Sequence, residues 1–450
     1  MNIPKGYKHT SLGILPQDWE VVELEKIIEI QTKKFNPQNS ESKPCIELEH
    51  ISQEMGNIVG YVDSTRQMSI KSIFSKRQIL FGKLRPYLKK YWQATFDGVC
   101  SSEIWVLDGK KVCNDFLLYL VQTEKFIQIA NISSGTKMPR ADWHYMREIP
   151  FCVPPIKEQE KIAQILNTWD SCIHNLEKLI KTKERYKKGL MQRLLIPPQE
   201  DLTGGLPRSL TTFRNDGLAL PLGGKHNEAI QNLDSKTLDC HDLQSKSRND
   251  IQALRFKEFS GTWQEVKLGE VLEESSQRNK SLQIDNVLSV TNSMGFIQQK
   301  EYFEKEVASK NTSNYKIINY GEFAYNPARI NVGSIALLDS YEIGILSPMY
   351  IVFKCVRVNK YFFKYWLDSF MFKGILGQFL AGSVRQVLAF SDMKQIKIYL
   401  PSLQEQEKIA RVLSLCDEEI QTFKKMLESR KKQKRGLMQN LLNGKVRVKA

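Results

Sequence analysis

Two stretches of the chain space their apolar side chains in the same way, and the spacing is helical. Between Pro154 and Leu195 the apolar residues Ile162, Leu166, Trp169, Ile173, Leu176 and Ile180 step by four and three; between Pro401 and Leu442, Ile409, Leu413, Cys416, Ile420, Phe423 and Leu427 do the same. Such steps put all six on one stripe of an α-helix, the pattern of a rod packed lengthwise against another rod. Prolines mark both starts: Pro154, Pro155 and Pro401 withhold a donor and bias the preceding residue to extended backbone. Glu158, Glu160, Glu405 and Glu407 occupy the first turns and basic residues crowd the last, which complements the helix dipole. Each rod would be about 60 Å long at 1.5 Å per residue. The stripes predict that the rods pack antiparallel on each other; two separate helices, each on its own domain, would also satisfy the pattern.

The two stretches align without a gap at an offset of 247, including Glu158–Ala163 with Glu405–Ala410 and Gly189–Gln192 with Gly436–Gln439. Gly135, Met146 and Ile149 match Gly382, Met393 and Ile396 at the same offset, and Trp19–Leu24 resembles Trp263–Leu268. A duplication on this scale sets the architecture. It divides the chain into a first block (1–153), a long helix (154–195), a linker (196–254), a second block (255–400) and a second long helix (401–443). Strands are predicted at Ile104–Leu107, Ile345–Leu346, Tyr350–Phe353 and Ile396–Tyr399, and helices at Asp115–Ile129 and Lys360–Phe379. The linker is rich in Pro, Gly, Ser, Asn and Asp and is expected to be mobile, although Leu218, Leu220 and Leu222 could dock locally. The fold class is α+β: two globular mixed α/β domains separated by two long antiparallel helices with pseudo-twofold symmetry.

Charge narrows the partners. A formal net charge of +15 favours a polyanion, nucleic acid or an anionic membrane surface. No apolar run is long enough to span a bilayer, and the N-terminal residues lack the apolar core of a signal peptide. Eight cysteines without a CxxC pair suggest reduced, packing thiols and a cytoplasmic location.

Catalytic signatures are mostly absent. No GxxxxGK[ST] loop is present, and the histidines show no metal-ligand spacing. Tyr325-Asn326-Pro327-Ala328 briefly resembles an amino-methyltransferase motif, but Ala328 breaks it, and no glycine-rich strand-to-helix turn accompanies it. Basic–aromatic segments stand out instead. The first block holds Phe81–Trp92, with Lys83, Arg85 and Lys89; the second has Asn326, Arg329 and Asn331 in the corresponding region. Lys and Arg neutralise phosphates, while Arg and Asn suit guanine and adenine edges. Ser134–Arg140 (with Lys137 and Arg140) and Gly382–Gln386 (with Arg385) occupy equivalent positions and could set a glycine turn against phosphate; turn chemistry alone also explains the glycines. The expected DNA-contact set is Lys83, Arg85, Lys89, Lys137, Arg140, Arg329, Asn331 and Arg385. The basic helix tails exceed what dipole compensation needs, which suggests DNA or a protein partner beside the simpler reading of a solvated face.

The ordered set of motifs resembles the specificity subunit of type I restriction–modification enzymes. It comprises the opening GYKHTSLGILPQDWEVVELEKI, ILFGKLRPYLKK, LRFKEFSGTWQEVKLGEVL, GEFAYNPARINVGSIALL, LSPMYIVF, the two EQEKIA helix starts and the two GLMQxLL helix ends. The resemblance covers nearly the whole chain, although the 196–250 linker is longer than the pattern leads one to expect. It implies that each block recognises half of an asymmetric bipartite DNA target. The helices would then set the spacer and dock two copies of a methyltransferase (modification) subunit, with Gln159, Ile162, Leu190, Gln406, Ile409 and Leu437 as the expected docking residues. It also implies that this chain has no catalytic residues, metal or cofactor of its own. S-adenosylmethionine, ATP and Mg would be bound by partner subunits, including a restriction/translocase subunit. Two other classes remain open from the residues alone: a stand-alone DNA methyltransferase or nuclease with degenerate motifs, and a coiled-coil adaptor with no DNA role.

Overall fold

The computed structural model describes residues 3–39, 41–132, 138–201, 253–292, 294–302, 311–381 and 387–448. The chain forms two compact units. The first comprises Met1–Lys178 with Lys424–Ala450, and the second Leu179–Phe423. Both long helices form, over Ile156–Leu194 and Leu403–Leu442, so each unit contains the start of one helix and the end of the other.

In the first unit an antiparallel sheet is ordered Tyr91–Gln93, Ile79–Gly82, Ile104–Gly109, Ile28–Ile30. Alternation along its central strands sends Ile79, Phe81 and Leu107 to the core that faces the helices, and Leu80, Ile104 and Val106 to a second core. A five-stranded sheet adds Lys34–Phe35, Lys71–Phe74, Gly98–Cys100, Pro44–Ile46 and Val62–Asp63. In the second unit the corresponding sheet is ordered Leu272–Ser275, Ile351–Cys355, Phe323–Tyr325, Ile335–Leu337. Here Phe323, Tyr325 and Phe353 face the helix-side core, and Ala324 and Val352 the other.

Both helical segments expected beside the sheets are interrupted. Asp115–Ile129 splits into Asn114–Leu120 and Glu124–Ala130, because the Thr123 hydroxyl accepts the Phe126 N–H and caps a new helix. Lys360–Phe379 splits at Ser369, which lies in extended backbone between Lys360–Asp368 and Phe370–Ala381.

The repeated motifs pack each unit onto both helices. Ile162, Ala163 and Leu166 from the first helix start join Met438, Leu441 and Leu442 from the second helix end in the core of the first unit. Ile409, Ala410 and Leu413 join Met191, Leu194 and Leu195 in the second. Polar contacts repeat as well. Asp170 accepts hydrogen bonds from Tyr119 (2.9 Å) and Lys434 (2.6 Å), and Asp417 from Tyr365 (2.9 Å) and Lys187 (2.6 Å). Burial and the neighbouring aspartate raise both tyrosine pKa values, so each phenol stays a donor. Glu177–Lys431 (3.0 Å) and Lys183–Glu419 (2.7 Å) are further cross-helix pairs. Partners run in opposite directions along the two helices, so the helices are antiparallel in each unit, as their stripes predict. Buried Glu158 and Glu405 each hold an arginine through two oxygens, Arg447 at 2.8 and 2.9 Å and Arg255 at 2.9 and 2.9 Å.

The expected linker is packed at both ends. Ile196 is buried, the Asp201 carboxylate accepts the Trp263 N–H (3.0 Å), and the Leu254 N–H reaches the Arg193 carbonyl (2.9 Å). Leu218, Leu220 and Leu222 lie outside the described residues.

Candidate nucleic-acid interface

In the first unit, strand Ile79–Gly82 leads into one turn of 3-10 helix, Pro86–Leu88, with Arg85 as its N-cap and Lys89 as its C-cap. Arg85 and Lys89 both adopt left-handed backbone, φ 53° and 48°. Side chains with a Cβ rarely do so, and two in one short turn mark a geometry held by its surroundings. The holding contacts are Arg85 N–H to the Pro139 carbonyl (2.8 Å) and Glu54 N–H to the Lys89 carbonyl (3.1 Å). The second unit builds a similar turn, although its capping residue Arg329 has φ −130° where Arg85 is left-handed. Strand Phe323–Tyr325 leads into the 3-10 turn Ile330–Val332, N-capped by Arg329 and closed by Gly333 at φ 85°. Backbone bonds match: Leu88 to Arg85 (2.9 Å) and Lys89 to Pro86 (2.8 Å), Val332 to Arg329 (3.2 Å) and Gly333 to Ile330 (3.0 Å). Sheet register supports the equivalence, since Ile79 pairs with Leu107 as Phe323 pairs with Phe353.

Arg85 and Arg329 therefore occupy equivalent positions. Both are exposed, and among the described residues neither guanidinium has an ion-pair or hydrogen-bond partner. An unpaired, exposed arginine on a rigid turn can accept a phosphate or a guanine edge without first breaking another bond.

The other expected DNA-contact residues divide. Lys89 lies in the same turn but pairs with Glu54 at 2.9 Å, and the hydrogen bond from Lys89 holds the Glu54 carboxyl below its usual range. Arg140 bridges to Leu84 beside the turn, and its guanidinium binds Glu103 at 3.0 and 3.3 Å. Lys83 is half-buried, with its backbone bonded to Glu103 and Ala141. Asn331 is exposed inside the second 3-10 turn. Lys137 and Arg385 lie outside the described residues, but the residues that follow them reach the turns through Pro139 with Arg85 and Leu388 with Pro327. Asn326 is buried, and its side-chain oxygen accepts the Ala328 N–H (3.1 Å), so it shapes the turn from within rather than reaching a base edge. Sequence reasoning missed the paired acids Glu54 and Glu103; isolated glutamates carry no signal until the fold sets them beside a cation.

The pattern of a capping arginine on duplicated turns coincides with a family match over most of the chain. The model for the type I restriction modification DNA specificity domain matches residues 16–184 and again 260–429. The chain belongs to that family. It is a DNA specificity subunit of a type I restriction–modification system, the non-catalytic member of a complex assembled with other subunits and DNA. Curated relatives include the MjaVIII specificity subunit of Methanocaldococcus jannaschii, 26% identical over 78% of this chain and 75% of that protein. The putative MjaX specificity subunit of the same organism is 23% identical over 99% and 97%. Among solved structures, the type I restriction–modification S subunit from M. genitalium matches with a TM-score of 0.50 at 15% identity, covering 98% of each chain. A chain from a study of type I complex assembly and conformational transition matches at 0.51 and 14%, covering 96% of this chain and 99% of that one. These two likenesses establish the shared fold.

The six residues expected to dock the modification subunit are engaged inside this specificity subunit. Gln159 donates to the Pro154 and Lys111 carbonyls (2.8 and 3.1 Å) and accepts the Cys113 N–H (2.9 Å). Gln406 donates to the Pro401 carbonyl (2.9 Å) and accepts the Asn359 N–H (2.9 Å). Ile162, Ile409 and Leu190 are buried in the two helix-side cores, and Leu437 packs against one of them. These contacts hold each globular part onto its helices. Among the described residues no group of acidic, His or Cys side chains is placed to hold a metal, and no helix is long and apolar enough to cross a membrane.

Proposed function

We propose that each globular unit reads one half of an asymmetric bipartite DNA target, through the turn capped by Arg85 in the first and by Arg329 in the second. The observation that carries the reading is the pair of equivalent, exposed arginines, unpartnered among the described residues, on otherwise divergent turns: each arginine reads a base edge in its own half-site, and the differing neighbours make the two half-sites unlike. Lys83, Lys89, Arg140 and Asn331 line the same turns, and Lys137 and Arg385 complete the DNA-contact set in this proposal. The two long helices set the spacer between half-sites. Two modification subunits dock on the exposed helix faces, which carry Lys161, Arg185 and Lys188 on the first and Lys425, Lys432 and Arg435 on the second, rather than on the buried repeat residues. S-adenosylmethionine is bound by those subunits, and ATP and Mg by a restriction subunit. The complex works in the cytoplasm.

The test is methylation by the reconstituted complex of Arg85→Ala and Arg329→Ala variants on randomised targets. Each variant is expected to relax the base requirement in one half-site and leave the other unchanged, with a loss of about 1–3 kcal/mol in discrimination. Equal loss at both halves in both variants would overturn the assignment.

A further inference from the structure

We propose that Met349 is a base-reading residue of the second unit and that it recognises the C5-methyl group of a thymine in the major groove. The inference rests on the DNA-recognition reading above and assigns a chemistry to one of its two turns. Met349 is 61% exposed, while Tyr350 beside it is 8% exposed and starts the run into the central strand. An exposed methionine is ordinary; one held by a hydrogen bond is not. The Asn326 side-chain amide donates to the Met349 sulfur at 3.5 Å. Asn326 is itself buried, and it organises the arginine turn: its carbonyl accepts the Arg329 N–H (3.0 Å), and its own N–H donates to the Ser334 carbonyl (3.1 Å). The Asn-Pro-Ala segment, which lacks the rest of a methyltransferase motif, thus joins a thioether to the turn that displays Arg329.

The first unit uses the same position differently. The pairings Leu107–Ile79 and Phe353–Phe323 place Ile104 opposite Tyr350 in the comparison, and Glu103 opposite Met349. Glu103 is also held from a neighbouring loop, by Arg140 at 3.0 and 3.3 Å. Both units therefore fasten a side chain just before the central strand and beside the capping arginine, one acidic and one apolar. A thioether offers nothing to a phosphate. In the major groove the thymine methyl is the apolar feature of the base edges, whereas a carboxylate accepts from the cytosine amino group. Arg329 in the adjoining turn, exposed and unpaired among the described residues, selects a duplex, rather than an apolar protein surface, as what covers Met349.

The test uses the full chain with its modification subunits on its mapped target. Each thymine in turn is replaced by deoxyuridine, which removes only the methyl group. In one half-site, one replacement is expected to weaken binding about fourfold, the transfer value of a single methyl group. Met349→Ala should lose a similar factor on thymine DNA and become indifferent to that replacement, and Met349→Leu should retain the discrimination. Full sensitivity to every replacement in Met349→Ala, or no sensitive thymine in the wild type, would overturn the proposal. So would loss of the modification subunits from Met349→Ala with DNA binding unchanged, which would make Met349 a protein contact. A wild-type complex with no sequence-selective DNA binding would overturn the parent reading and this one with it, and that control separates the two failures.

Discussion

The duplicated aspartates make a prediction confined to one unit at a time. Replacing Asp170 with Asn removes the charge that Lys434 and Tyr119 share. The Lys434 side chain is 13% exposed and that of Asp170 40%. At the effective dielectric of such a site the gross attraction is about 5 kcal/mol, most of it offset by the desolvation of both groups. A hydrogen bond to a charged group contributes a net of about 1.5–3 kcal/mol, and the part exposure of Asp170 argues for the lower end, about 1.5 kcal/mol or roughly twelvefold. The readout is native-state amide hydrogen exchange, which resolves local opening. In Asp170→Asn, helix Asn114–Leu120, which carries Tyr119, should exchange roughly tenfold faster, while helix Lys360–Asp368 is unchanged. Asp417→Asn should show the reverse, because Tyr365 lies on Lys360–Asp368 and Lys187 replaces Lys434. Unchanged exchange in both variants, or equal acceleration of both helices in either, would refute the claim that these networks clamp each unit independently.

Three further outcomes follow from the same contacts. Ile409→Ala, at a position 1% exposed in the second core, should destabilise that unit by about 2–5 kcal/mol in its exchange-derived opening energy, and Ile162→Ala should do so in the first. Affinity for specific DNA should fall steeply with salt, and Arg85→Ala should leave the log–log slope unchanged, as expected of a base reader; a slope lowered by about 1 would make Arg85 a phosphate contact instead. Inserting one heptad at matched positions in both long helices adds about 10.5 Å, so the spacer in the methylated motif should grow by about three base pairs; an unchanged spacer would remove the helices from that role.

Periodicity carried most of the fold. The stripe from Ile162 to Ile180 and its repeat from Ile409 to Leu427 are one-dimensional signals that survive without tertiary information. Strand positions such as Tyr350–Phe353 were legible because burial on both faces leaves a continuous apolar run. The breaks at Thr123 and Ser369 were not, since a capping hydroxyl in an apolar helical pattern is visible only once its acceptor geometry exists. At the candidate site the arginines were legible from the basic–aromatic runs. Their equivalence required sheet register, because Arg85 and Arg329 are 244 residues apart and not at the helix offset of 247. The repeated glutamine and isoleucine of EQEKIA pointed outward to a partner when read as motifs; the fold turns them inward, to the Cys113 and Asn359 backbones and the two cores. Repetition alone does not distinguish a surface used twice from a joint made twice.

The central claim is that one chain reads two unlike half-sites. Its most direct test is single-molecule methylation mapping of a host that expresses this chain with its modification subunits, compared with the same host lacking the chain. A modified motif with two different half-sites around an unspecified spacer of constant length, present only with the chain, is the predicted result. A continuous or palindromic motif, or modification that persists without the chain, would contradict it.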